Sequence, residues 1–498
     1  LMSAQVDEEA ESLLTYRTKQ PTPLPWFQFS LVLFLQLAEP LTANVISPFA
    51  PELIRDLGIT HGNESQVGYY VGVLTSLFFL TEACTVLYWS RTSDHVGRKP
   101  VILTGLFGLS LSMYCFGMSR TFWGLVLSRS LSGALNGNIG VIKSMVAEIT
   151  DSTNISTAYA YMPIAWNTGG TLGPMIGGWL SRPVERFPQL FGGNEFLEKY
   201  PYFLACAVPA TFSAVAWIVT FLFLEETVQS PTPIAQHLGF KAKSSGPTKE
   251  RCSFEDEDTP FIGSSISMAK FGQTTDDRPK MKTSLPIRSL LTARVIIAAG
   301  NYASLAFVEI CFRAIQPLFF STPVHLGGLG MPPSTIGNIL ASFGILNGAL
   351  QALYFARMND RWGSKNVFMW GLATLVLATA TFPLLSFLVQ KTGHGPLLWI
   401  GIALQVVISV PVCFCYGAVF IYISNASPNR ASIGATNGLS QMTVSVMRAM
   451  GPAAATSLYS FSIEKGYLSG HLVYYVLTAF VGIALYIGSL LPRQVWSD

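Results

Sequence analysis

The chain has 498 residues, of which 50% are apolar and only 12% charged, where an ordinary soluble domain is about a quarter charged. Mean hydropathy is +0.42, and a net charge of +3 gives no basic field to hold nucleic acid by neutralising phosphates. Disorder, a collagen repeat and a disulfide scaffold are excluded by the same composition, which leaves a polytopic membrane protein.

In chain order, the first 25 residues form a tail with Asp7, Glu8, Glu9 and Glu11, in which Glu9, Leu13 and Leu14 are spaced like an acidic dileucine sorting signal. A spanning helix needs about 20 apolar residues to cross ~30 Å of hydrocarbon. That window predicts six spans in residues 26–224, near 26–48, 67–90, 100–118, 121–146, 158–181 and 202–224. Six more follow in 291–492, near 293–320, 333–356, 366–389, 397–424, 431–459 and 470–492. Residues 225–290 are rich in Ser, Pro, Thr, Lys and Asp and contain Glu255-Asp256-Glu257-Asp258, too polar to fold alone. The expected fold is an all-α membrane protein: twelve transmembrane helices in two pseudo-symmetric six-helix halves, a flexible linking loop at 225–290, and a short tail at 493–498.

Twelve spans put both termini on one side. Short segments on that side hold ten basic residues, Arg17, Lys19, Arg91, Arg98, Lys99, Arg357, Arg361, Lys365, Arg430 and Arg493. The opposite loops hold seven, Arg55, Arg120, Arg182, Arg186, Lys199, Lys391 and Lys465. Positive charge concentrates inside, so both termini are expected to be cytoplasmic, with the glycosylation sequon Asn63-Glu64-Ser65 on the other side. All cysteines except Cys252 lie in apolar runs, and Cys413-x-Cys415 lacks a second ligand pair. Neither a structural disulfide nor a metal or other cofactor is expected.

The halves echo each other. Asp94-x-x-Gly97-x-Lys99 after the second span returns as Asp360-x-x-Gly363-x-Lys365 after the eighth, and Gly173-Pro174 returns as Gly451-Pro452. Glu39 precedes Pro48 much as Glu309 precedes Pro317. Parallel halves with a site between them near the midplane are a known transporter plan.

Three motifs carry a resemblance: Ser90-x-x-x-Asp94-x-x-Gly97-Arg98-Lys99, Arg129-x-x-x-Gly133, and Gly169-x-x-x-Gly173-Pro174-x-x-Gly177-Gly178. Together they resemble the major facilitator superfamily, with Ser90 replacing that family's leading glycine. The third is similar to the signature of its proton-coupled drug antiporters. Gly327-Gly328-Leu329-Gly330 and Asn437-Gly438 look like fungal relatives of the plant zinc-induced facilitator group. The Cys-Pro-Gly-Cys motif of the plant members is absent, and Leu224-Glu225-Glu226-Thr227 stands where they carry a histidine motif. The resemblance implies alternating access, with Asp94, Gly97, Arg98, Lys99, Asp360 and Gly363 as a gating motif whose arginine pairs across the halves. It also implies that the small-residue face of the fifth span seals one end of the pathway.

Charges at membrane depth cost at least ~2.5 to 3.5 kcal/mol for an arginine at a helix centre, so Glu39, Glu82, Arg129, Glu309, Arg313 and Arg448 should face the interior. Burial disfavours an ionised carboxylate and a nearby arginine favours it. Glu39 is therefore the first candidate proton carrier, Glu82 the competing one, and Arg129 the group that tunes either. Glu309 and Arg313 stand at i and i+4, the favourable order for a helical ion pair. Candidate cavity residues are Gln36, Asn44, Tyr69, Trp166, Asn301, Glu309, Arg313, Gln316, Asn347, Gln351, Tyr416, Gln441 and Arg448, a mixture suited to an amphipathic organic solute.

The expected activity is proton-coupled antiport of a small organic compound, of the multidrug-efflux kind, by a monomer in the plasma or vacuolar membrane. Its partners are that substrate, protons and the lipid bilayer. Alternatives are a uniporter, a metal-chelate carrier, or a sensor that keeps the fold without transporting. There is no P-loop or zincin motif, and an enzyme is not expected.

Overall fold

The computed structural model describes residues 22–150, 154–227, 291–428 and 433–496. The dileucine-like tail, most of the linking loop with its acidic run, and Arg430 lie outside the described residues. A helical run coincides with each expected span.

In the first half these are α1 (Trp26–Gln36), α2 (Ala38–Asn44) and α3 (Ala50–Asp56), then α4 (Val67–Val96), α5 (Arg98–Met118), α6 (Phe122–Leu135), α7 (Asn138–Ile149) and α8 (Ile155–Leu180). Short helices α9 (Pro183–Arg186), α10 (Pro188–Phe191) and α11 (Glu195–Lys199) precede α12 (Phe203–Phe223). The second half has α13 (Ala293–Ser321), α14 (Pro333–Trp362), α15 (Ser364–Thr392), α16 (Pro396–Ser409), α17 (Pro411–Ala426), α18 (Ile433–Lys465) and α19 (Leu472–Ser489).

Among the described residues, seven helical segments are long and apolar enough to cross a membrane, or eight if the bent pair Pro333–Gln351 and Leu353–Trp362 is one span. Several other runs are interrupted. Leu37, whose amide turns back to Phe34 O, separates α1 from α2. Asn136 and Gly137 separate α6 from α7. Pro411, which lacks an amide hydrogen, opens α17 just after α16.

The echoing turns fold alike. Gly97 (φ 114) and Gly363 (φ 78) join α4 to α5 and α14 to α15 in a backbone conformation that a side chain would oppose.

The face bearing the loops 57–66, 181–202, 322–332 and 466–471 is termed here the far face, and the other, which holds both echoing turns, the terminal face. On the far face the halves meet closely. Arg55, at the end of α3, donates to Ser321 Oγ at 2.7 Å and Ser321 O at 2.9 Å, and pairs with Glu64 at 2.8 Å. Trp179 Nε1 donates to Asn338 Oδ1 at 2.7 Å. Deeper in, Ser76 Oγ accepts from the Ala453 amide at 2.8 Å, and Asn167 meets both Asn347 and Gln351 at 3.4 Å. Helix α4 packs on α18, and α8 on α14.

Candidate functional site: a charged core between the halves

The small-residue run of α8 owes its composition to backbone contact. A β-carbon on Gly169 would stand 2.6 Å from Pro40 Cγ and 3.0 Å from Leu37 O, and one on Gly173 would stand 3.0 Å from Leu41 O. Gly177 lies closer still to Val45 O. These residues, four apart, share one helix face, and it lies on α2 and the turn after it. Gly178 points the other way, to Pro333 O and Gly337 of the second half. Pro174 is buried, and its carbonyl lies against Gly337. Gly170 is half-open beside Asn44.

That packing holds α2 where Glu39 is buried, 7% exposed, as is Glu82 of α4, and Arg129 of α6 is 4% exposed. Arg129 does not form an ion pair with Glu39. Its guanidinium lies 4.7 Å from the centre of the Phe78 ring and Nη2 donates to Ala43 O at 3.4 Å, while Nη1 has no hydrogen-bond partner. Its charged neighbour is Glu82. Glu39 instead faces Asn136, Arg448 and Lys143. Asn136 is fully buried with its side-chain amide turned to Glu39.

Arg448 of α18 links the halves. Half-buried, it lies within electrostatic reach of Glu39 and Glu82 in the first half and of Tyr416, Tyr302 and Glu309 in the second. Glu309 forms its i,i+4 ion pair with Arg313 and accepts a hydrogen bond from Tyr416 OH at 3.0 Å. The Arg313 guanidinium lies 4.8 Å from the Phe343 ring centre and 3.7 Å from Cys413 Sγ, with 41% of the side chain open. Tyr302 OH donates to Gln441 Oε1 at 3.3 Å.

The remaining candidates divide. Asn347 and Gln351 sit on the contact with Asn167, Trp166 is half-buried beside it, and buried Gln36 Oε1 has no partner. Asn301 is fully buried and turns toward α19, donating to Ile487 O at 3.3 Å. Gln316 meets Gln405 at 3.5 Å within the second half, and Asn44 donates to Pro40 O at 2.7 Å on its own helix. Sequence reasoning missed Lys143, Asn136 and Tyr302. A lysine inside the apolar run 121–146 was the available signal for the first.

At the terminal face, Arg98 was expected to pair across the halves. It pairs with Glu148 at 2.9 Å and donates to Ser93 Oγ at 2.6 Å, both in the first half. Glu226 caps α5 by accepting from the Arg98 and Lys99 amides at 2.8 and 3.0 Å. Lys99 lies 5.9 Å from the Phe221 ring centre. The side chain of Asp94 lies outside the described residues. Asp360 is exposed, and Ser364 Oγ bonds Asn359 Oδ1 at 2.8 Å.

Long apolar helices with charged groups converging between two halves are the arrangement of a polytopic membrane protein. Residues 32–452 match the family model of the Major Facilitator Superfamily, and the chain belongs to that family. It is 28% identical to the major facilitator superfamily multidrug transporter mfsB of Aspergillus fumigatus, over 89% of this chain and 80% of that protein. It is 26% identical to ZINC INDUCED FACILITATOR 1 of Arabidopsis thaliana, over 93% and 91%. Among solved structures, a bacterial homolog to the human lysosomal transporter Spinster shares the fold, with TM-score 0.64 at 13% identity over 94% of this chain and 97% of that one.

Proposed function

We propose that this transporter is a proton-coupled antiporter that exports a small organic compound, with Glu39 and Glu82 as the coupling acids. The observation that carries the reading is Arg448, a second-half cation within electrostatic reach of both first-half acids. An arginine in the apposed half senses whether those acids are charged, so proton binding biases how the halves sit together. Arg129, stacked and nearly sealed, contributes a fixed positive field at Glu82. Twelve crossings in two six-helix units, with the terminal face cytoplasmic, complete the proposal. The described conformation is then closed toward the outside or the vacuolar lumen, with the small-residue face of α8 as part of the seal. The gating residues Asp94, Gly97, Arg98, Lys99, Asp360 and Gly363 act at the opposite end.

An organic substrate is supported by the aromatic and polar side chains Tyr302, Tyr416, Gln441 and Phe343 grouped near Glu309 and Arg313, and a multidrug role by the name of the Aspergillus relative, a multidrug transporter. The test is ethidium transport by the purified protein in proteoliposomes under an imposed pH gradient. Glu39→Gln and Glu82→Gln are each expected to lower gradient-driven transport at least about tenfold, as loss of a placed proton-transfer group does. Undiminished coupling in both variants would remove these acids from the mechanism.

A further inference from the structure

The echoing acids Glu39 and Glu309 differ in what stands one turn later: Ala43 follows the first and Arg313 the second. Glu309 is divided among Arg313, the Tyr416 hydroxyl at 3.0 Å and the field of Arg448, so it neutralises Arg313 only in part. Arg313 Nε is turned to Glu309 and Nη2 lies 3.7 Å from the Cys413 sulfur, a weak acceptor, while Nη1 makes no hydrogen bond among the described residues. At membrane depth 41% of this side chain is open. A guanidinium facing lipid would be heavily penalised, so its free edge faces a water-filled space. The Phe343 ring backs it, with its centre 4.8 Å away. Asn347, one turn further along α14 and about 6 Å away along the axis, is on the same helix face as Phe343. Its Nδ2 donates across the halves to Asn167 at 3.4 Å, which turns that face toward the first half. Asn347 is only 4% exposed, yet its Oδ1 has no hydrogen-bond partner. A buried acceptor left without a donor is costly, and a ligand that brings one removes the cost.

We propose that the exported compound is an amphipathic organic carboxylate bearing an N–H or O–H donor about one helical turn from the acid, held by Arg313, Phe343 and Asn347. The inference rests on the reading of this protein as an exporter of an organic compound and names the class of that compound. The carboxylate takes the open edge of the Arg313 guanidinium, a charge-assisted contact. The apolar body lies along Phe343, and the donor meets Asn347 Oδ1. A site built to bond a polar group rejects analogues that lack it, because its own group is then left unpaired. Cations such as ethidium forgo the Arg313 contact and are the weaker ligands.

The experiment titrates the full chain in detergent with dansyl-γ-aminobutyrate and with its methyl ester, following dansyl fluorescence against protein-free micelles. The two probes share the ring system and the sulfonamide N–H and differ in the carboxylate. The parent is expected to bind the acid about tenfold more tightly than the ester, the worth of one charge-assisted contact. Arg313→Gln should bring that ratio to about one, and Arg313→Lys should restore part of it. Asn347→Leu should weaken acid and ester by a similar factor, since both carry the donor. A ratio near one in the parent overturns the proposal, as does a parental ratio in Arg313→Gln or unchanged binding of both probes in Asn347→Leu. Should Arg313→Gln fold poorly because Glu309 is stranded, the Glu309→Gln, Arg313→Gln double variant decides, and a parental ratio there is fatal. The ratio is read without a gradient, so it stands or fails independently of whether Glu39 and Glu82 couple protons.

Discussion

Gly178 of α8 and Gly337 of α14 face each other across the two halves so closely that a β-carbon on either would stand 3.0 Å from the other's Cα. Contact this close between membrane helices requires small residues on both sides. The far-face closure therefore rests partly on backbone against backbone, with Trp179 and Asn338 bonded one position further along each helix.

Gly178→Leu is expected to wedge the far face open. In a variant carrying Ser181→Cys as reporter, labelling by a membrane-impermeant maleimide should rise several-fold while transport falls to background. Ser181 is only 1% exposed in the closed form, so unchanged labelling would show that the glycine pair is not part of the seal.

Arg55 fastens the same face by a different device, reaching from α3 to the C-terminal end of α13. Hydrogen bonds to a charged donor contribute roughly 1.5–3 kcal/mol, less here because the side chain is 24% exposed. Arg55→Ala should raise reporter labelling less than Gly178→Leu does, and Arg55→Lys should recover part of the closed population. Equal labelling of Arg55→Ala and the parent would assign the contact no gating role.

Arg182, in the left-handed backbone region (φ 51), gathers Asp56 at 2.6 Å, Glu185 at 3.0 Å and Glu52 at 3.3 Å. Tyr202 OH bonds Asp56 as well. Arg182→Ala leaves clustered carboxylates without their cation and should cost about 1–2 kcal/mol, read as a lowered unfolding temperature. Burial pushes the Glu52 carboxyl above its ordinary range, a shift only partly offset by Arg182. A raised carboxyl gives a contribution that is full at acid pH and lost as pH rises through the shifted value. Glu52→Gln should therefore gain stability relative to the parent on going from acid to neutral pH. A difference independent of pH would contradict this.

The helical runs were legible because lipid imposes a length and an apolarity on each crossing, and the echoing turns because glycine is needed where φ is positive. Glu39, Glu82, Arg129 and Arg448 were legible as costly charges at depth. Their pairing was not. Arg129 sits with Phe78 and Glu82, while Glu39 faces Lys143, Asn136 and Arg448, a grouping that depends on how α2, α4, α7 and α18 lie together. Residues 224–227 read only as a departure from a motif, yet Glu226 caps a helix 128 residues away. Arg98, expected to latch the halves, pairs with Glu148 of its own half in the described conformation.

The coupling acids are tested most directly by loading proteoliposomes with a pH dye and adding ethidium without any imposed gradient. The account predicts that ethidium entry drives protons out through the parent protein. It predicts no proton movement through the Glu39→Gln, Glu82→Gln double variant, which should still exchange ethidium for ethidium. Proton movement that persists in the double variant, or ethidium entry without protons in the parent, would contradict it.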